Sequence, residues 1–177
     1  MPKDGGWSFG TNIDYMKNLA DYWTKEYDWK SQEARLNKFP NYKTKVDDLD
    51  IHFIIKKSSS PKAIPLILIH GWPGSIVEFL EIIDPLCEPE KYGNNNEVCF
   101  DIIAPSIPGF AFSGKPENPI GPRKIASIFN KLMTEKLGYK KYVAQGGDWG
   151  SAISTWLGFD HSKNCKGIHI NLSLIHI

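Results

Sequence analysis

The pattern of hydrophobic and polar positions changes texture once along the chain, near residue 60. Before that point Tyr15, Leu19, Tyr22 and Trp23 recur at three- and four-residue steps. This spacing predicts an amphipathic helix with Thr11 or Asn12 as its cap. A second short helix is predicted from Ser31 to just before Pro40. Residues 43–57 alternate loosely and hold the β-formers Val46, Ile51, Phe53, Ile54 and Ile55, with Asp47 and Asp48 between them, which predicts a hairpin. The run Ser58, Ser59, Ser60, Pro61 breaks it.

After the break, residues 65–69 are wholly apolar and end in His70-Gly71. A short apolar run of this kind is the mark of a strand buried on both faces, and such strands belong to parallel sheets. Ile76, Phe79, Leu80, Ile83 and Leu86 then predict a helix, and residues 98–104 a second buried strand. Residues 105–122, rich in proline and glycine, are loop. Ile125, Ile128, Phe129, Leu132, Met133 and Leu137 have helical spacing, closed by Gly138 at the C-terminal cap. A third strand over 141–145, a helix carrying Trp149, Ala152, Ile153, Trp156 and Leu157, and a fourth strand over 167–172 complete the order. Alternating strands and helices specify an α/β class with a mostly parallel sheet and right-handed crossovers.

Composition narrows the partners. The 177 residues carry 21 basic and 20 acidic side chains for a net charge of +1, so no electrostatic footprint for nucleic acid or an anionic surface is expected. Residues 1–10 lack the apolar centre of a signal peptide, and no run is long enough to cross a bilayer, so a soluble chain is expected. Cys87, Cys99 and Cys165 are widely spaced and form no Cys-x-x-Cys pair, so neither a disulfide framework nor a metal site is expected.

Two motifs could carry chemistry. Gly146-Gly147-Asp148-Trp149-Gly150 stands where a predicted strand turns directly into a helix. It fits the glycine-x-nucleophile-x-glycine elbow, in which small flanking residues let strand and helix backbones approach. Taken alone, it also reads as an ordinary turn with Asp148 as N-cap. His70-Gly71-Trp72-Pro73-Gly74 ends an earlier buried strand, and alone it reads as a strand-ending turn. Together and in this order, the two place the N–H groups of Trp72 and Trp149 where they can converge as an oxyanion hole on Asp148.

HGWPGS (70–75) and GGDWGS (146–151) resemble the microsomal-type epoxide hydrolases of the α/β-hydrolase fold, the group that includes juvenile hormone epoxide hydrolases. Tyr22-Trp23, Tyr27-Asp28-Trp29, Glu33, Leu36-Asn37 and Phe39-Pro40 are similar to that family's N-terminal segment, and residues 49–53 and 105–113 also match its pattern. The resemblance runs from about Trp7 to about Asn171. It divides the chain into an epoxide-hydrolase-type segment (1–60), the first half of an α/β-hydrolase core (61–171) and an off-family tail (172–177).

The implied chemistry is hydrolysis of a small apolar epoxide to a vicinal diol. Asp148 is the nucleophile, Trp72 and Trp149 form the oxyanion hole, and His70, Gly71, Pro73, Gly146, Gly147 and Gly150 shape the motifs. No cofactor is implied. The resemblance further implies a histidine, an acid and lid tyrosines. After Asp148 come Asp160, His161, His169 and His176. His161 reads as a helix-end residue, His169 as a strand position, and His176 lies in the tail. None of these, nor His52 or His70, matches the family's catalytic histidine, and none of the seven tyrosines maps onto its lid. The chain is therefore expected to be the front half of such an enzyme, inactive in turnover and at most alkylated on Asp148.

A haloalkane dehalogenase-like hydrolase shares an elbow Asp followed by Trp, and a non-catalytic binding module is the other alternative. The N-terminal aromatic segment favours epoxides. The resemblance implies a cytoplasmic chain or one at the endoplasmic reticulum membrane, with membrane association expected only of a longer form. Asn171-Leu172-Ser173 fits a glycosylation sequon at a strand end and reads as incidental.

Overall fold

The computed structural model describes residues 5–94 and 98–172. The tail beyond Leu172, with His176 and Ser173 of the sequon, lies outside the described residues. Two compact units result, Met1–Lys38 and Phe39–Ile177.

In the first unit, helix α1 (Ile13–Lys25) is capped by Asn12, whose side chain accepts from the N–H groups of Asp14 and Tyr15 at 2.8 and 3.1 Å. Of the two candidate caps, asparagine prevails. Helix α2 (Trp29–Leu36) begins two residues earlier than its periodicity indicates. The cause is Asp28, whose carboxylate takes the N–H groups of Lys30 and Ser31 and so fixes the start. Trp7 packs against Tyr15, ring centroids 5.3 Å apart.

The second unit is one six-stranded sheet. Its strands are β1 (Asn41–Val46), β2 (Leu49–Lys56), β3 (Ile64–Ile69), β4 (Phe100–Pro105), β5 (Tyr142–Gly147) and β6 (Cys165–Asn171). Their order across the sheet is β1-β2-β4-β3-β5-β6. The four strands read as parallel are β4, β3, β5 and β6, and they pair in parallel as expected. The hairpin adds two more, because β2 pairs antiparallel to β4 from Phe53↔Pro105 to Lys56↔Ile102. Four consecutive β2 residues, Ile51 to Ile54, are buried. A strand covered on both faces requires a neighbour on each edge as well, and β1 and β4 supply them.

Alternate residues of each strand go to opposite layers. Ile67 and Ile69 of β3, Ile103 of β4 and Ile51 and Phe53 of β2 share one core with Ile125, Phe129 and Met133 of α4 (Pro122–Lys131 and the turn after it) and with Ile153 and Leu157 of α5 (Trp149–Asp160). On the other layer lies α3 (Leu80–Cys87), entered through a 3-10 turn at Ile76–Phe79. There Leu66 and Leu68 face an open groove of about 660 Å³ together with Phe79, Ile82, Val143 and Ile168.

One periodicity is broken. Regular α spacing was expected up to Leu137, but Leu132–Lys136 widens into a π turn in which Leu137 N–H reaches back five residues to the Leu132 carbonyl. Gly138 follows at φ 77°, the left-handed cap position foreseen for it. Tyr142, buried beneath this turn, donates its hydroxyl to Asn130 Oδ1 at 2.9 Å, and Tyr139 donates to Asp101 at 3.0 Å. Burial pushes both phenols well above their ordinary range. No described helix is long and apolar enough to cross a membrane.

Candidate active site

The sheet order brings together two loops that are far apart in sequence. Strand β3 lies beside β5 in parallel register, with Ile69 opposite Gly146. The segment starting at His70 and the turn at Asp148 therefore leave the same edge of the sheet side by side. Across this junction the Trp72 N–H donates to Asp148 Oδ1 at 2.8 Å, a contact between residues 76 apart.

Three glycines make the approach possible. A Cβ on Gly71 would lie 2.7 Å from Asp148 Cβ and 3.0 Å from its Oδ1. A Cβ on Gly150 would overlap the Ile69 carbonyl, and one on Gly146 the Gly150 carbonyl. Gly147 is limited by Asn171, whose Oδ1 would stand 2.8 Å from an added Cβ. Pro73 follows Trp72 through a cis peptide bond.

Asp148 adopts φ 48° and ψ −122°, a backbone region costly for a residue with a Cβ. The turn is held by Ser151, whose N–H reaches the Asp148 carbonyl at 3.0 Å and whose hydroxyl reaches the Gly146 carbonyl at 2.7 Å. The Asp148 side chain makes no capping bond to α5. The simple N-cap reading is thus displaced, since the carboxylate turns to the Trp72 loop instead. Trp149 is the first residue of α5, so its N–H has no partner within the helix. Trp72 and Trp149 line a pocket of about 120 Å³ together with Ile107, Phe110, Pro116 and Ile120, a mostly apolar set.

None of the described histidines is hydrogen-bonded to Asp148, and two have both ring nitrogens bonded elsewhere. His52 Nδ1 meets Ser106 Oγ and its Nε2 meets Asn41 Oδ1, both at 2.9 Å. His70 Nδ1 meets the Gly71 carbonyl at 2.9 Å, and its Nε2 meets the Ile107 N–H at 3.0 Å. His161 is the C-terminal cap position of α5 and His169 lies in β6, as read from sequence. Asp160 is bound to Arg123 through two N–H···O bonds of 2.6 and 2.9 Å. Tyr139 and Tyr142 are committed to Asp101 and Asn130. The network of His52 with Ser106 and Asn41 gave no signal in the sequence, because its three members come from β2, the loop after β4 and β1.

Burial holds both His52 and His70 below the ordinary histidine value of 6.5. Lys43 lowers His52 further, whereas the Gly71 bond and Glu78 partly offset the effect on His70. Below pH about 6.5 the unfolded chain then binds protons that the folded one refuses, so stability rises with pH in that window. The contribution is whole above the unfolded value and is lost as pH falls toward the lower folded values. The thermal midpoint is expected to be level from pH 8 to 7 and to decline between about 6.5 and 5. Asp47, Glu88 and Asp160, held low by Lys131, Ser59 and Arg123 respectively, act only at more acid pH. A midpoint constant down to pH 5 would contradict this assignment.

The chain is similar to known proteins along almost its whole length. The family model described as "Epoxide hydrolase N terminus" matches residues 1–79, and that described as "alpha/beta hydrolase fold" matches residues 64–175. The chain is 41% identical to epoxide hydrolase 1 of Oryctolagus cuniculus, over 94% of this chain and 38% of the relative. It is 41% identical to juvenile hormone epoxide hydrolase 1 of Ctenocephalides felis, over 99% of this chain and 38% of the relative. The crystal structure of juvenile hormone epoxide hydrolase from the silkworm Bombyx mori superposes with a TM-score of 0.89 at 38% identity, covering 98% of this chain and 41% of that one. The chain thus spans about two fifths of the length of these relatives, in their N-terminal part.

Proposed function

For a chain that belongs to the microsomal epoxide hydrolase family of α/β-hydrolases, we propose that Asp148 is the nucleophile of epoxide hydrolysis. The observation that carries this reading is the Asp148 carboxylate on its strained turn, with Oδ1 taken by the Trp72 N–H and the side chain exposed.

The first step follows from that arrangement. One carboxylate oxygen is occupied by a backbone donor, and the other attacks an epoxide carbon. The carbon–oxygen bond of the ring breaks, the departing oxygen takes a proton from water, leaving hydroxide to the solvent, and a hydroxyalkyl ester of Asp148 results. An aspartate is ionised at neutral pH and needs no base for this attack.

In the second step water adds to the carboxyl carbon. The Trp72 N–H, with that of Trp149, stabilises the oxyanion that forms there, and collapse releases the diol. This step needs a general base. His52 and His70 have both ring nitrogens bonded elsewhere, His161 ends α5 and His169 lies within β6, so none of these four is assigned as the base. The mostly apolar pocket lined by Trp72 and Trp149 supports an apolar substituent on the epoxide.

The test is covalent capture. Incubation of the 177-residue chain with styrene oxide is expected to give a species heavier by one epoxide, mapped by peptide fragmentation to Asp148, with no diol released. Adducts scattered over other carboxylates, or none at all, would reject the nucleophile assignment. Diol formation would instead show that the 177-residue chain supplies a base.

A further inference from the structure

His70 is fully buried, yet neither of its ring nitrogens bonds to Asp148. Its two ring nitrogens meet two backbone groups of opposite kind. The Gly71 carbonyl can only accept, so Nδ1 must carry the proton. The Ile107 N–H can only donate, so Nε2 must present its lone pair. The partners alone therefore fix a neutral imidazole in one tautomer.

The carbonyl bound by Nδ1 belongs to the same peptide unit as the Trp72 N–H. That unit is trans, the cis bond being the next one along. In a planar trans peptide the C=O and N–H point in opposite directions. Holding the Gly71 oxygen toward the ring therefore aims the Trp72 N–H away from it, at Asp148 Oδ1 2.8 Å away. At its other nitrogen the same ring holds Ile107, a wall of the apolar pocket, with Phe110 packed edge-on at 5.3 Å.

We propose that His70 is the positioning residue of this site: its neutral Nδ1–H tautomer sets the Gly71–Trp72 peptide plane that presents the oxyanion donor, and its Nε2 anchors the pocket wall to that plane. The proposal rests on the reading of Asp148 as nucleophile. It gives the histidine of the loop a function distinct from that of a general base, for its lone pair is already used. Burial, which disfavours the imidazolium, supports the neutral form.

Two substitutions separate the bonds. The side-chain amide of His70→Asn can occupy the place of Nδ1 and donate to the Gly71 carbonyl, but it falls short of Ile107. The longer His70→Gln can reach Ile107 as an acceptor but leaves the Gly71 carbonyl without a donor. In the ¹⁵N-labelled 177-residue chain the His70 ring is expected to show a protonated Nδ1 and a bare Nε2. The Trp72 amide is expected to resonate downfield, as for an N–H bound to a carboxylate. His70→Asn should keep that Trp72 signature while the Ile107 amide, deprived of its acceptor, moves from its wild-type position, and His70→Gln the reverse.

With styrene oxide, His70→Gln should form the Asp148 adduct about 10- to 100-fold more slowly, because the carboxylate is no longer held in register. A wild-type ring protonated on Nε2, or a Trp72 amide indifferent to both substitutions, overturns the proposal. Should either variant fail to fold, the wild-type ring tautomer decides by itself. Expected spectra without any adduct would retire the nucleophile assignment while supporting the placement of Trp72 by His70.

Discussion

Asp148→Asn is expected to lower formation of the covalent epoxide adduct by on the order of 10³-fold or more while leaving the fold intact. The argument separates shape from charge. Asparagine has nearly the same volume, tolerates the positive φ of 48° found at this position, and offers its own side-chain oxygen to the Trp72 N–H. The turn and the helix after it should thus form as before. What disappears is the ionised oxygen that attacks the epoxide carbon, since a neutral amide is a poor nucleophile. Intact-mass kinetics with styrene oxide, run beside circular dichroism, provides the check. An Asn variant that is alkylated at the wild-type rate would transfer the role to another carboxylate.

Gly150→Ala is expected to destabilise the chain by at least about 3 kcal/mol, enough to shift a urea midpoint severely. The added methyl would occupy the space of the Ile69 carbonyl and press on that of His70, both backbone atoms at the end of β3. Helix α5 cannot lift away to relieve this, because Ile153 and Leu157 are embedded in the core shared with α4 and the sheet. The clash thus falls on the junction where Trp72 and Asp148 meet. Gly167→Ala on β6 is the internal control. There the new Cβ would find only Val143 Cγ1, at 3.6 Å, an ordinary contact, and removal of a strand glycine should be neutral or slightly favourable. Equal losses in the two variants would show that glycine as such, and not the close approach, is what the elbow requires.

These two expectations come from different kinds of legibility. The elbow around Asp148 was readable because glycine spacing, strand ending and helix start are local, and so was the loop from His70 to Gly74. The caps were half readable. Asn12 was one of two candidates, whereas Asp28 moved the start of α2 through its own side-chain bonds, which a search for apolar periodicity does not register. The π turn at 132–136 leaves no mark in the sequence, because a five-residue hydrogen bond changes the apolar spacing too little to stand out.

The sequence by itself determined the order of strands and helices and the two motifs with Asp148 between its glycines, but not which apolar faces are buried, for Tyr15, Leu19, Tyr22 and Trp23 of α1 are all exposed. Order and motifs depend on near neighbours along the chain. The tertiary structure alone decided that β3 lies between β4 and β5, that the hairpin joins the sheet through β4, and that Trp72 therefore donates to Asp148. It also decided that His52 meets Ser106 and Asn41 and that His70 meets Ile107, partners on other strands and loops. Strand pairing is made by backbone hydrogen bonds between distant segments, and every residue but proline offers the same donor and acceptor, so the pattern of side chains does not specify which strand will be the neighbour.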